Sequence, residues 1–383
     1  MIKRQISSKL LEMAAKFPVI TITGPRQSGK TTLCRNLFKG YRYVSLEDPD
    51  LRQFAENDPK GFLEEYNYHV IIDEVQNVPH LFSYIQGIVD ENKQAGQFIL
   101  TGSQNFLLLE KISQSLAGRT YIFHLLPFSY AELKSKYKQD MLHHIFNGGY
   151  PSIYDRQILT NDFFPSYIQT YIERDVRSIL NIKDLNTFSI FLKYCAGRTG
   201  QLFNASAIAV ELGIDYKTIQ RWLSVLESSF IVYRLYPWHV NFNKRIVKTP
   251  KFYFYDTGLA CYLLGIRSAE ELNLHYAKGA LFENYIISEC LKNKRNQGQN
   301  DTLYFWRNNT GNEVDLLFDL GQRLKIVEIK SSKTINDNFF KGLNYFEKHQ
   351  ENYILEKYIV YGGDISRRQY ETQVLAWNKT ENI

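Results

Sequence analysis

The sequence predicts an α/β chain in three parts: an N-terminal doubly wound parallel sheet, a middle helical segment, and a C-terminal α/β unit. Three observations carry that expectation. A glycine-rich loop, Gly24-Pro25-Arg26-Gln27-Ser28-Gly29-Lys30-Thr31, stands between an apolar β-rich run at 17–23 and a helix-like segment at 31–38. Short apolar strands then alternate with helical stretches. The last third reads helix, three strands, helix, strand. At 383 residues the chain is too long for one ordinary core. A turn cluster at Gly148-Gly149-Tyr150-Pro151 marks the first boundary, giving parts at 1–150, 151–258 and 259–383.

Composition excludes several classes. The formal charge of +6 permits a polyanionic partner without requiring one. The 27 Tyr and 25 Phe are a high aromatic load, of the kind that fills cores and interfaces. Cys34, Cys195, Cys261 and Cys290 are scattered with no C-x-x-C pair, so neither a disulfide framework nor a zinc site is expected and a reducing, cytoplasmic setting fits. The first residues hold no long apolar h-region, and no apolar run reaches membrane-spanning length, so neither a signal peptide nor a membrane span is expected.

The loop follows the pattern G-x-x-x-x-G-K-[ST]. Its glycines let backbone N–H groups curl around a phosphate, and the helix start adds partial positive charge. Lys30 is placed to reach the β- and γ-phosphates, and Thr31 to ligate Mg²⁺; residues 24–32, Thr32 included, form the nucleotide-binding set. The run 68–74 reads as a buried strand ending in Asp73 and Glu74. Asp73 is expected to hold Mg²⁺, and Glu74 to polarise the water that attacks the γ-phosphate. A strand at 97–101 leads to Ser103 and Gln104, the sensor candidates, with plain turn chemistry as the alternative. Another short strand is expected at 41–46. Arg119 precedes a further β-rich run; it is either an arginine finger, acting in a neighbouring subunit of a homo-oligomer, or half of a surface ion pair.

The order of phosphate loop, Asp73-Glu74, Thr101-Gly102-Ser103 and Arg119 resembles the AAA+-type prokaryotic ATPases. More narrowly, the chain is similar over nearly its full length to a bacterial and archaeal ATPase family. In that family an AAA domain precedes a C-terminal domain long catalogued as of unknown function. The residues carrying the likeness continue through Ser115-Leu116-Ala117-Gly118-Arg119, Gly148 to Pro151, residues 171–176, residues 253–259 and Gly311-Asn312-Glu313-Val314-Asp315. The resemblance implies an ATPase with ATP and Mg²⁺ as cofactors and an AAA+-like P-loop domain over 1–150.

Downstream, residues 167–177 carry apolar residues at helical spacing, with Arg174, Asp175 and Arg177 between them as helix ion pairs or as couplers of nucleotide state. Short helices are expected at 204–212 and 215–228, with Gly213 as stop and Asp215 as N-cap. Strands at 230–235 and 251–255 follow, and Lys244, Arg245 and Lys248 lie in the connection. This is a winged-helix pattern in which Tyr216, Lys217, Thr218, Gln220 and Arg221 face a DNA groove, unless the module binds protein instead.

In the last third an amphipathic helix is expected at 279–294, strands at 302–307, 313–320 and 323–330, a helix at 338–349 and a strand at 357–361. Glu328 and Lys330, two apart on one strand, point to one face. With Asp315 on the preceding strand and Glu283 on the helix, they resemble the D-x(n)-E-x-K pattern of the restriction-endonuclease-like superfamily. That likeness implies Glu283, Asp315 and Glu328 as metal ligands and Lys330 as a catalytic group rather than a ligand. The pattern lacks a proline before Asp315, and many proteins of that fold have lost cleavage, so nuclease activity is left open. Adjacent His143 and His144 face different ways on a helix and are not expected to bind metal.

The leading expectation is an ATPase that couples nucleotide state to a DNA-binding, nuclease-like module. The alternative is a nucleotide-gated regulatory scaffold with an inactive nuclease fold.

Overall fold

Five short apolar runs become parallel strands: β1 (Val19–Thr23), β2 (Arg42–Ser45), β3 (Val70–Asp73), β4 (Phe98–Gly102) and β5 (Thr120–His124). They lie in the order β2-β3-β4-β1-β5 with every pair parallel. Both faces of each inner strand are buried, as near-continuous apolar runs require in such a sheet. On one face Val19, Val70, Ile72, Phe98 and Leu100 pack with Phe62, Leu63, Leu81, Phe82 and Ile85, from the helices Pro59–Glu65 and Leu81–Asn92. On the other, Ile20, Ile22, Ile71, Ile99 and Phe123 pack with Leu10, Met13 and Leu33, from α1 (Ser7–Ala14) and α2 (Lys30–Leu37). The period-two split between the faces gives a helix–sheet–helix sandwich.

This computed structural model describes residues 2–103, 114–172, 185–240, 249–299, 303–350 and 352–383. The chain forms two units. The first is Met1–Phe128 with Ser228–Phe230 and Arg295–Gln299; the second is Ser129–Glu227, Ile231–Lys294 and Asn300–Ile383. No helix among the described residues is long and apolar enough to cross a membrane.

The second unit holds β6 (Val232–Pro237), β7 (Lys251–Phe254), β8 (Leu303–Arg307), β9 (Glu313–Leu320), β10 (Arg323–Lys330), β11 (Ile354–Tyr361), β12 (Arg367–Gln369) and β13 (Thr372–Ala376). These make one mixed sheet in the order β12-β13-β11-β10-β9-β8-β6-β7. Strand β10 runs antiparallel to β9 and parallel to β11, with the helix Lys341–His349 in the crossover. Leu343 and Phe346 of that helix bury against Leu324, Ile326 and Ile359.

The helices Ala205–Leu212 and Tyr216–Ser228 begin where side-chain caps allow. Asn204 Oδ1 accepts the Ser206 and Ala207 amides, and Asp215 Oδ2 accepts that of Thr218. Gly213, at φ 65°, closes the first helix in the left-handed conformation. Strands β6 and β7 pair antiparallel. Lys244, Arg245 and Lys248, the expected basic wing, lie outside the described residues.

Two elements differ from expectation. Of the helix foreseen at 167–177, the described residues end an α-helix, Thr160–Tyr167, and continue as a π-turn, Ile168–Ile172, while 173–177 lie outside the described residues. Pro165 within it has no N–H for the i→i−4 ladder, just before the turn widens. Arg174, Asp175 and Arg177 lie outside the described residues. The helix Lys278–Asn296 is buried on nearly every side instead of showing one solvated face. Several of its polar residues are satisfied internally. Asn284, fully buried, accepts hydrogen bonds from the Thr199 hydroxyl (2.7 Å) and the Phe254 amide (2.9 Å) and donates to the Phe254 carbonyl (2.7 Å). Glu289 accepts the Tyr130 amide at 2.6 Å and pairs with Lys292 at 3.0 Å.

Asn284→Ala would strand the Phe254 amide and the Thr199 hydroxyl in the interior. It is expected to cost about 1–3 kcal/mol even after the gain in helix propensity. Urea unfolding should show the second unit's midpoint falling; an unchanged midpoint would mean water replaces the amide.

Candidate functional site

The carboxyl ends of β1, β3 and β4 bring the first unit's polar residues together, the place where an open α/β sheet presents its ligand crevice. The phosphate loop leaves β1 at Gly24, where φ is 149° and a side chain would collide with the Leu125 carbonyl. Gln27 (φ 59°) and Gly29 (φ 90°) turn the backbone left-handed just before α2, and a helix start leaves its first amides without an intrahelical partner. Lys30 is buried, and its Nζ donates to the carbonyls of Gly24 (3.0 Å) and Pro25 (2.9 Å). Burial holds its pKa below the usual lysine value, with Glu74 and Asp73 pulling the other way. The Ser28 hydroxyl is fully buried and has no hydrogen-bond partner among the described residues.

Asp73 ends β3 and is 5% exposed. Its Oδ2 accepts hydrogen bonds from the hydroxyls of Thr31 (2.8 Å) and Tyr43 (2.9 Å), and its Oδ1 accepts one from Thr101. Glu74 follows in the left-handed region at φ 53°, ψ 44°, a conformation that costs a non-glycine residue about 1–2 kcal/mol and gathers at functional sites. Its Oε2 accepts from Ser103 Oγ (3.0 Å) and from the Gln76 amide. The phosphate loop, Thr31, Asp73, Glu74 and Ser103 thus converge. Gln104 lies outside the described residues.

Arg119 does not join them. It sits at the amino end of β5, where its carbonyl accepts the Val19 amide, a strand's length from the loop. Its guanidinium grips Asp90 with two bonds, 2.6 and 2.8 Å.

Three contacts were not foreseen. Arg4 is buried and ties the loop to the segment after β5, donating to the carbonyls of Ser28 (2.9 Å) and Leu126 (2.6 Å). Its distance in sequence gives no signal. Tyr43 and Thr101 as Asp73 partners were legible only as hydroxyls at strand ends beside an acid. Burial, and then the Asp73 charge, push the Tyr43 phenol up to about 12, so it acts as a donor.

The oxygen donors of Thr31 and Asp73, side by side, fit a hard cation such as Mg²⁺. The helix start, the buried ammonium and the Ser28 hydroxyl fit a phosphate chain.

In the second unit, Leu316 stands opposite Val327, which sets Asp315 beside Glu328 on the next step. Lys330 Nζ lies 2.6 Å from Glu328 Oε1 and 3.7 Å from Asp315 Oδ2. Glu283 joins from its helix: its Oε1 accepts from Lys251 (3.0 Å) and Tyr253 (2.6 Å). Burial raises Glu283, and burial and then Asp315 carry Glu328 up to about 8. All four expected residues meet here, with Lys251, Tyr253 and Glu313 added. The missed signal was an ionisable residue, Lys251, heading the aromatic run Phe252-Tyr253-Phe254-Tyr255. Among the described residues no group of three or more His, Cys, Asp or Glu is arranged to hold a metal ion, the acids here being engaged by ammonium groups instead. His143 pairs with Asp140. On the helix Tyr216–Ser228, Tyr216, Lys217 and Arg221 are exposed, while Thr218 and Gln220 are half-buried.

Comparison with known proteins agrees with the first unit's geometry. Residues 16–134 match an AAA domain, residues 138–270 a domain of unknown function (DUF8612), and residues 278–379 a second one (DUF4143). The chain is similar to the Walker-type ATPase paby2304 of Pyrococcus abyssi, with 16% identity, 69% of this chain and 96% of that one covered and a TM-score of 0.42. It is also similar to AMPPCP-bound DnaA from Aquifex aeolicus, with 15% identity, 58% and 85% covered and a TM-score of 0.31. Over 337 residues it is 30% identical to the uncharacterized proteins Rv2008c of Mycobacterium tuberculosis and Mb2031c of Mycobacterium bovis, covering 87% of this chain and 74% of each relative. The chain belongs to the same family as Rv2008c and Mb2031c, and its first part is a P-loop ATPase domain of the AAA type.

Proposed function

We propose that the protein hydrolyses ATP at the phosphate loop and uses nucleotide state to move a DNA-binding module in the rest of the chain. This reading assigns the AAA+-like engine to 1–150, a helical linker and winged helix to 151–258, and a restriction-endonuclease-like module to 259–383. The observation that carries it is the convergence of Lys30, Thr31, Asp73 and Glu74 at the strand ends. Lys30 exchanges its two carbonyl partners for phosphate oxygens. Thr31 and Asp73 would hold Mg²⁺, which would supply positive charge against that of the phosphates. Glu74, positioned by Ser103 and Gln76, orients the attacking water and takes its proton. Gln104 is assigned alongside Ser103 as a γ-phosphate sensor. Arg119 serves the site of a neighbouring copy, because its own loop lies at the far end of the sheet.

The second reading, a nucleotide-gated scaffold with an inactive nuclease fold, is favoured by the two lysines lodged on the acids of the second unit.

Lys30→Ala should abolish MgATP binding in calorimetry. Glu74→Gln should keep binding while phosphate release falls about 10²–10⁴-fold; turnover unaffected by either change would end the ATPase assignment. Arg119→Ala should bind nucleotide normally yet turn over about 10³-fold more slowly. Mixing it with Lys30→Ala protein should restore part of the rate if the finger acts between subunits. Removing Lys217 and Arg221 together should flatten the salt dependence of DNA binding by about two units of slope; an unaltered slope moves DNA away from this helix.

A further inference from the structure

The acids of the second unit have a charge partner that the D-x(n)-E-x-K pattern does not call for. Lys251 opens β7, and its side chain is only 4% exposed. Its Nζ bonds Glu283 Oε1 at 3.0 Å and pairs also with Glu313, under the ring of Phe305 at 5.5 Å. Other oxygens of the cluster are engaged as well. Tyr253 takes the same Glu283 oxygen at 2.6 Å. Asp315 Oδ2 accepts the Ile329 amide at 2.8 Å. Lys330 sits on Glu328 Oε1 at 2.6 Å. Among the described residues of the cluster only Glu328 Oε2 is buried without a partner; a β-carbon at Gly342 would lie 3.1 Å from it and collide with the Glu313 carbonyl.

A Mg²⁺ ion needs near-octahedral oxygen donors at about 2.0–2.1 Å and gives up its waters reluctantly. An ammonium hydrogen-bonded to a carboxylate oxygen occupies that oxygen and repels a dication in a low-dielectric interior. Lys330 is half-exposed and belongs to the nuclease pattern. Lys251 is buried, is held by two carboxylates, and has no comparable route to solvent.

We propose that the Lys251 ammonium is the resident cation of the Glu283–Glu313–Asp315–Glu328 cluster, in place of the divalent ion that a nuclease site would use. The cluster therefore takes no Mg²⁺ and cuts no phosphodiester. This rests on the nuclease-like reading of the module; the ATPase reading is independent of it.

The test is Mn²⁺ binding to the full chain without nucleotide, followed by the electron paramagnetic resonance of free Mn²⁺. Binding is credited to the cluster only where Asp315→Ala removes it. Wild type should show no such site up to millimolar Mn²⁺. Lys251→Met, which keeps the stem and drops the charge, should gain one Asp315-dependent site at least about tenfold tighter than any in wild type. Lys251→Gln, read the same way, stands in if circular dichroism shows the methionine variant unfolded. An Asp315-dependent site in wild type overturns the proposal, as does a folded Lys251 variant that gains none. Phosphate release from the same wild-type preparation reads the ATPase assignment separately.

Discussion

The nucleotide site depends on one carboxylate. Asp73 receives the hydroxyls of Thr31 from α2, Tyr43 from β2 and Thr101 from β4, so the loop helix and both flanking strands are tied to the tip of β3. A hydrogen bond to a charged group contributes about 1.5–3 kcal/mol, and three together offset the cost of an acid that is 5% exposed. Removing the acid would therefore loosen three elements as well as take away the proposed metal ligand. The loop itself is held from behind by Arg4, whose bond to the Ser28 carbonyl fixes the backbone that presents the amides.

Two buried lysines sharpen the contrast between the units. Among the described residues Lys30 has only neutral carbonyl partners within hydrogen-bond reach, so an incoming phosphate offers its ammonium something stronger. Lys251 already holds two carboxylates. Burial alone would lower its pKa, but Glu283, Asp315 and Glu313 together carry it above the ordinary lysine value. The first lysine is set to exchange partners and the second to keep them. The same residue type, equally enclosed, serves opposite ends because of what faces it.

The sequence made the parallel sheet legible because its strands are apolar on both faces and its loop has a fixed spacing. Asp73, Glu74 and Lys30 were equally readable, since strand ends and the loop define their place. Local spacing likewise sets Glu328 and Lys330 on one face. What escaped was long-range or hidden by chemistry that looks solvated. Arg4 reaches Ser28 across 24 residues with no periodic mark. The helix Lys278–Asn296 reads as amphipathic because Asn284, Ser288 and Glu289 are polar, and only the structure supplies the buried partners that let them turn inward. Lys251 heads an aromatic strand, and no local rule says that the strand's edge meets Glu283 and Glu313.

Arg119 shows how position decides between two chemically sound roles. Its carbonyl pairs with Val19 at the amino end of β1, while the phosphate loop starts at Gly24 beyond the carboxyl end. Five residues of strand separate them by about 16 Å, beyond the reach of an arginine side chain that is also turned toward Asp90. A role in its own site is therefore ruled out by geometry, and only another copy's phosphates could meet this guanidinium. The Asp90 pair does not oppose that. It is solvent-screened and opens at little cost, whereas a desolvated transition-state charge is a far stronger partner. An arginine parked on a surface aspartate is thus compatible with a finger that engages only on assembly, and assembly would then set the rate.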